Sequence, residues 1–208
     1  MRIIFLIILY LLTGFAREEQ QEQKTNLQIA DSLTFLVLLD RLPEIQAKNI
    51  DSIAIDVSQL APEKQNYLRI LLGNWFFSHS FQVFRNYHQG MSFQGTVFEI
   101  NQYELNIIYS KPYEKKFLGS DFVNREVSLE LNGQFFAAAD QRLEIIVNAK
   151  KVFTDEIPYA EIAGMENPGY SFARGKREDY SFWDKVYEPV LALTSVAILV
   201  YLFFSQRS

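Results

Sequence analysis

Residues 189–204 run without a single charge, with Trp183 and Tyr187 just before them and Arg207 just after. A segment of that kind has to leave water, so it constrains where the rest of the chain can fold. Its helix would rise only about 24 Å, short of a hydrocarbon core, but it can extend back through Val186 to Phe182 with the flanking charges snorkelling outward. The expectation is a transmembrane helix over 182–204. Trp183 and Tyr187 form its outer aromatic belt, Tyr201 marks the inner one, and Arg207 lies in a cytoplasmic tail of residues 205–208.

The opposite end carries a second apolar run. Met1-Arg2 precedes residues 3–15, which are apolar apart from Thr13 and the Tyr10 hydroxyl, and Gly14, Phe15 and Ala16 close it. A basic start, a short apolar stretch and small residues at its end are the grammar of a signal peptide, read here as residues 1–16. Thirteen helical residues span about 20 Å, too little for a comfortable permanent crossing. Cleaved or not, such a segment exports the chain from residue 17 onward. The expected location is the bacterial cytoplasmic (inner) membrane, single-pass, with the domain facing the periplasm and the lipid bilayer as a partner.

Composition narrows the function classes. The formal charge is -5, and phosphate contacts need clustered Lys and Arg, so no nucleic acid is expected. Two small basic groups exist, Lys111 with Lys115 and Lys116, and Arg174 with Lys176 and Arg177. The chain has no cysteine. That removes disulfides, thiolate nucleophiles and a lipid-modified amino-terminal Cys.

Between the two apolar ends the hydrophobic period changes once. Residues 17–26 begin with a stretch that has nothing to bury and read as a flexible leader. Ile29, Leu33, Leu36 and Val37 then fall at helical spacing, with Asp31 available as a cap and Pro43 near the end. Ile53, Ile55 and Val57 alternate as a strand, and Pro62-Glu63 open a second helix through Leu68, Leu71, Leu72 and Trp75. Short β-favouring runs follow at 81–85, 96–100, 105–109, 127–131 and 143–147, with Asn132-Gly133 as a tight-turn dipeptide. The order implies an α+β domain over 27–162, two helices packed on one face of a mainly antiparallel sheet. Fifteen per cent aromatic residues supply its bulk. Gly164, Pro168, Gly169 and Gly175 mark 163–181 as a linker.

The chemistry-bearing residues form no motif. His79 and His88 lie nine apart and lack the offsets of a metal pair, so no metal ligands are assigned. No Gly-rich phosphate loop or nucleophile elbow occurs; catalytic and cofactor-binding residues are therefore none, with no cofactor and no nucleotide expected. Asp155-Glu156 and Glu178-Asp179 are adjacent pairs, which a strand points to opposite faces. The most unusual stretch is 87–95, where Tyr87, His88, Met91 and Phe93 are interleaved with glycines. It is the candidate contact loop, because adaptable aromatic and Met side chains on a loop suit partner surfaces.

From Asp31 to Arg85, the order helix, Ile53-Ala54-Ile55-Asp56-Val57 strand, long helix, strand resembles the opening of the α/β domain in bacterial envelope-assembly proteins of the curli-secretion and flagellar outer-membrane type. The resemblance implies an envelope role and brings no site residue. An enzyme needs a constellation; a scaffold needs a surface and a tether. The function expected is thus a scaffold, adaptor or complex subunit that binds or positions other envelope proteins. The alternative is a membrane-tethered hydrolase of envelope glycan, peptide or lipid, whose carboxylates meet only in three dimensions.

Overall fold

Thr25 starts the first helix, α1 (Asn26–Ala47), because its hydroxyl accepts the Gln28 N–H at 3.2 Å while the Gln28 side chain accepts the Thr25 N–H at 2.8 Å. This reciprocal cap satisfies two of the free donors of the first turn. Asp31 was the expected cap; it lies instead one turn inside, and the helix continues through Pro43 to Ala47. The carbonyl that Pro43 leaves unpaired belongs to half-exposed Leu39, where water can reach it. The computed structural model describes residues 23–84, 93–114, 120–178 and 182–205. The expected signal peptide, most of the leader and the tail at 206–208 lie outside them.

After α1 come β1 (Ser52–Asp56), α2 (Pro62–Ser78), β2 (Gln82–Phe84), β3 (Thr96–Tyr109), β4 (Tyr113–Glu114), β5 (Asp121–Ala137) and β6 (Leu143–Pro158). A one-turn helix α3 (Ile162–Met165), the short strand β7 (Lys176–Arg177) and a helix α4 (Phe182–Ser205) complete the described chain. The fold is mixed α+β. β1 pairs in parallel with both β2 and β3, β3 runs antiparallel to β5, and β5 antiparallel to β6. In paired length the sheet is mainly antiparallel, as expected, with short parallel pairs at β1 and β7. Because α2 carries the chain from β1 back to a neighbouring parallel strand, a parallel pair arises that strand patterning alone does not announce.

Two expected strands, 96–100 and 105–109, are one. β3 crosses the polar stretch between them with a bulge at Ile100/Gln102 opposite Gly133 and Asn132 of β5. The bulge also switches parity: Phe98 and Ile100 face inward before it, Tyr103, Ile107 and Tyr109 after it. Asn132-Gly133 is accordingly no turn but the interior of a 17-residue strand. A Cβ on Gly133 would lie 2.5 Å from the Glu99 carbonyl oxygen, so glycine is there to let two backbones approach.

Inward residues of β5 are all odd-numbered, from Val123 to Phe135, and α1 and α2 cover that face. Phe76 of α2 stands edge-on to Phe98 and Phe135, which stack with ring centroids 4.2 Å apart. The other face carries Glu99, Gln102, Asn132 and Gln134 bonded side by side, with Ile146 and Val152 exposed beside them on β6. Residues 163–178, expected as a linker, are docked. Ile162, Met165 and Ala173 are buried, Tyr170 and Phe172 pack on the core, and β7 pairs with β3. The Glu63 carboxylate accepts both the N–H and the hydroxyl of Ser171. Gly175 passes over the Tyr109 ring so closely that a Cβ would lie 2.1 Å from it. The glycines break regular structure without preventing packing.

Candidate functional site

Position 125 falls on the inward parity of β5, between Val123 and Val127, and the residue there is an arginine with no exposed surface. Its Nε donates to Asp155 Oδ1 at 2.8 Å, its Nη2 to Asp155 Oδ2 at 2.5 Å, and its Nη1 to Asn26 Oδ1 at 2.9 Å. The Asn26 amide in turn donates to the Tyr109 hydroxyl at 2.8 Å and the Ala173 carbonyl at 3.0 Å. A buried guanidinium is tolerable only when its fork is matched in this way. Burial pushes the Tyr109 hydroxyl above its ordinary value, against the pull of the Asn26 bond. One cluster thus ties α1, β3, β5, β6 and the turn at 171–173 together.

The same strands enclose an open cleft of about 520 Å³, lined on its polar side by Ser110, Asn124, Glu126, Thr154 and Glu178. Three carboxylates border it, counting Asp155, but the Arg125 fork holds Asp155 and leaves Glu126 and Glu178 as its acidic groups. Nearby, Tyr113 shares its hydroxyl proton between Glu156 and Asn124 Oδ1, the latter at 3.2 Å. The bond to Glu156 raises the Tyr113 hydroxyl above its ordinary value.

A second buried polar group joins the two helices. The Tyr67 hydroxyl donates to Asp31 Oδ1 at 2.5 Å, and Tyr103 Oη lies 3.3 Å from the Thr34 hydroxyl. Burial pushes Tyr103 up to about 12 and Tyr67 further still. It also raises Asp31 above the usual carboxylate value, partly offset by the Tyr67 bond. Tyr170 and Phe172 close this cluster with ring centroids 5.5 and 5.2 Å from Tyr67. His79 ends α2, stacked on Trp75 at 4.1 Å with Nδ1 2.8 Å from the Trp75 carbonyl. Among the described residues, no group of three His, Cys, Asp or Glu could hold a metal ion.

Few of the residues singled out in the sequence fall within the described set. Tyr87, His88 and Met91 lie outside the described residues; Phe93 is described, its ring 4.9 Å from Phe84 at the β2 edge. Trp183 and Tyr187 belong to α4, but their side chains and all of Arg207 lie outside the described set. Tyr201 is exposed. So are Val190, Leu191, Leu193, Val196, Ile198, Leu199, Leu202 and Phe203, which at 100° per residue surround the helix. The structure supplies the helix expected over 182–204 without supplying the span: among the described residues, no helix is long and apolar enough to cross a membrane. Arg125 was missed, although its parity with Val123, Val127 and Leu129 was the signal that could have found it.

No family model and no curated protein matches the chain. Among solved structures it is similar to a minor lipoprotein from Acinetobacter baumannii, with a TM-score of 0.31 and 8% identity over 53% of this chain and 67% of that one. A likeness of that degree carries no argument about fold or function.

Proposed function

We propose that the chain is a single-span envelope protein. In this reading α4 holds it in the bacterial cytoplasmic membrane, and the domain of residues 23–178 faces the periplasm, where it binds or positions other envelope components. One observation carries the reading: every described side chain from Val190 to Ser205 is exposed, most of them large and apolar. A helix apolar on all sides is stable only inside a core or in lipid, and among the described residues α4 takes part in none of the substantial packing between elements. The sequence supports the span, since Ala192, Val200 and Phe204, whose side chains are not described, are apolar too and 189–204 carries no charge. Thr194 and Ser195 return their hydroxyls to the carbonyls of Val190 and Leu191 at 2.7 and 2.8 Å. Neither therefore needs water.

The resemblance over residues 31–85 agrees with an envelope role. The hydrolase reading has one observation of its own, Glu126 and Glu178 on the same cleft, and would require Glu126→Gln and Glu178→Gln each to abolish cleavage of an envelope polymer. The binding reading is tested by carbonate washing of membranes holding the full chain and by carboxy-terminal fusions. It expects retention in the pellet, a fluorescent green fluorescent protein fusion and an inactive alkaline phosphatase fusion. Release into the soluble fraction, or an active phosphatase, would overturn it.

A further inference from the structure

β6 is the outer strand on its side of the sheet. It pairs with β5 from Ile145 to Pro158 without a register break, and among the described residues no strand pairs with its other side. The direction of its backbone can be read from its neighbour. Asn124 of β5 exchanges bonds with Ser110, its carbonyl accepting the Ser110 N–H at 2.9 Å and its N–H donating to the Ser110 hydroxyl at 2.9 Å. Asn124 therefore turns its polar backbone groups away from β6, and its partner Glu156 turns its own outward. The Gln23 side chain reaching the Glu156 carbonyl at 3.5 Å agrees. By alternation, Ile146, Asn148, Lys150, Val152 and Thr154 present N–H and C=O groups to the open edge; Glu156 does so too, its carbonyl shared with the Gln23 side chain that an incoming strand would displace.

An edge of this length is a template for another strand unless it is blunted. Neither a bulge nor a proline interrupts it before Pro158, and the charges it carries have a pattern. When the strand is laid antiparallel against itself about a two-fold axis at Phe153, Lys150 opposes Glu156, Lys151 opposes Asp155 and Val152 opposes Thr154. Centring the pair on Lys150 or Lys151 sets like charges against each other. Lys151 and Asp155 are already engaged, with Asp40 at 2.6 Å and with Arg125. Selectivity therefore falls on Lys150, which is exposed, and on Glu156, which also accepts the Tyr113 hydroxyl.

We propose that two copies of this chain join edge to edge through β6, antiparallel and in register about Phe153, so that the two sheets become one and Lys150 of each copy meets Glu156 of the other. Isologous pairing of this kind is closed, so it yields a dimer and not a filament. The outward backbone groups supply the adhesion, and the cross-strand charge pair, present twice by symmetry, sets the register. The inference does not depend on where the protein resides.

The experiment co-expresses two differently tagged full-length chains and measures capture of one by the other from detergent extract, with far-UV circular dichroism as the check on folding. Wild type captures wild type. Lys150→Glu or Glu156→Lys alone, placed in both chains, reduces capture on the order of tenfold or more, because two attractions become two repulsions. A Lys150→Glu chain paired with a Glu156→Lys chain recovers it. Thr154→Pro removes one outward N–H without touching a bond to β5 and also lowers capture. No wild-type capture, capture indifferent to the charge changes, or no recovery in the mixed pair would each overturn the proposal. So would retained capture by Thr154→Pro.

Discussion

Arg125 and α4 depart from the same rule in opposite directions. The first puts a full charge where no water reaches; the second leaves leucine, isoleucine and valine where water does. Their resolution differs. Around Arg125 the chain supplies every counterpart itself, Asp155 from the adjacent strand and Asn26 from the start of α1. Nothing comparable covers α4 among the described residues. A departure satisfied from within marks a part of the molecule that is structurally complete, whereas one left open marks where the molecule meets something else.

The contrast breaks most easily on the α4 side. Leu193→Lys with Leu199→Lys places two ammonium groups mid-helix, each costing roughly 2.5–3.5 kcal/mol of insertion free energy. The double variant is expected to move from the membrane pellet to the soluble fraction while the domain unfolds at an unchanged urea midpoint. Unchanged pelleting would show that the open departure is not closed by lipid.

On the Arg125 side, Arg125→Met strands the Asp155 carboxylate and the Asn26 carbonyl. It should cost about 3–5 kcal/mol, read as a lowered urea midpoint by circular dichroism. Arg125→Met combined with Asp155→Leu removes both charges and is expected to recover most of that loss. If the single and double variants lose equally, the cluster is held by something other than this pair.

A smaller effect separates backbone from side-chain control. Gly133→Ala drives a methyl group against the Glu99 carbonyl and should cost about 1–3 kcal/mol by the same measurement. An unshifted midpoint would mean that the β3 bulge yields.

The smallest effects lie in pH. Tyr103 is raised from 10.0 to about 12, so the folded state holds its proton more tightly. The stability this gives is complete below pH 10 and is lost as pH climbs toward 12. Tyr103→Phe should flatten that part of the decline, at a cost of about 0.5–1.5 kcal/mol at neutral pH for the bond to Thr34. Asp31 follows the same sign at the acid end. Its contribution is present below pH 3.8 and fades as pH rises through its elevated value. Asp31→Asn should remove that slope, seen as thermal midpoints compared between pH 3 and 7.

Periodicity carried the elements but not their pairing. The helices around Leu33 and Leu68, the strand at Ile53 and the strands near Leu129 and Ile145 were legible because each buries one face at a fixed spacing. The short parallel edge of the sheet was not, since nothing local in Ile53 or Val83 records that α2 returns the chain to a parallel neighbour. Asn132-Gly133 misled because the dipeptide that makes a hairpin also fits beneath a bulge. Gly164 to Gly175 misled because glycine breaks elements as readily in a docked segment as in a free one. The Arg125 cluster went unread. Parity with Val127 and Leu129 could have given its side of the sheet, but Asp155 is 30 residues away and Asn26 is 99, distances over which a sequence records no contact.

The bond from Asn26 to the Ala173 carbonyl brings the first turn of α1 beside the last turn of the domain, so its entry and exit points share a corner. Joining Lys24 to Glu178 with a short peptide and reopening the chain within 138–142 would be a mild circular permutation, because the core contacts survive the rewiring. A cargo fused ahead of Thr25 would accordingly emerge at the same corner as Glu178, away from the end of the sheet that carries β2.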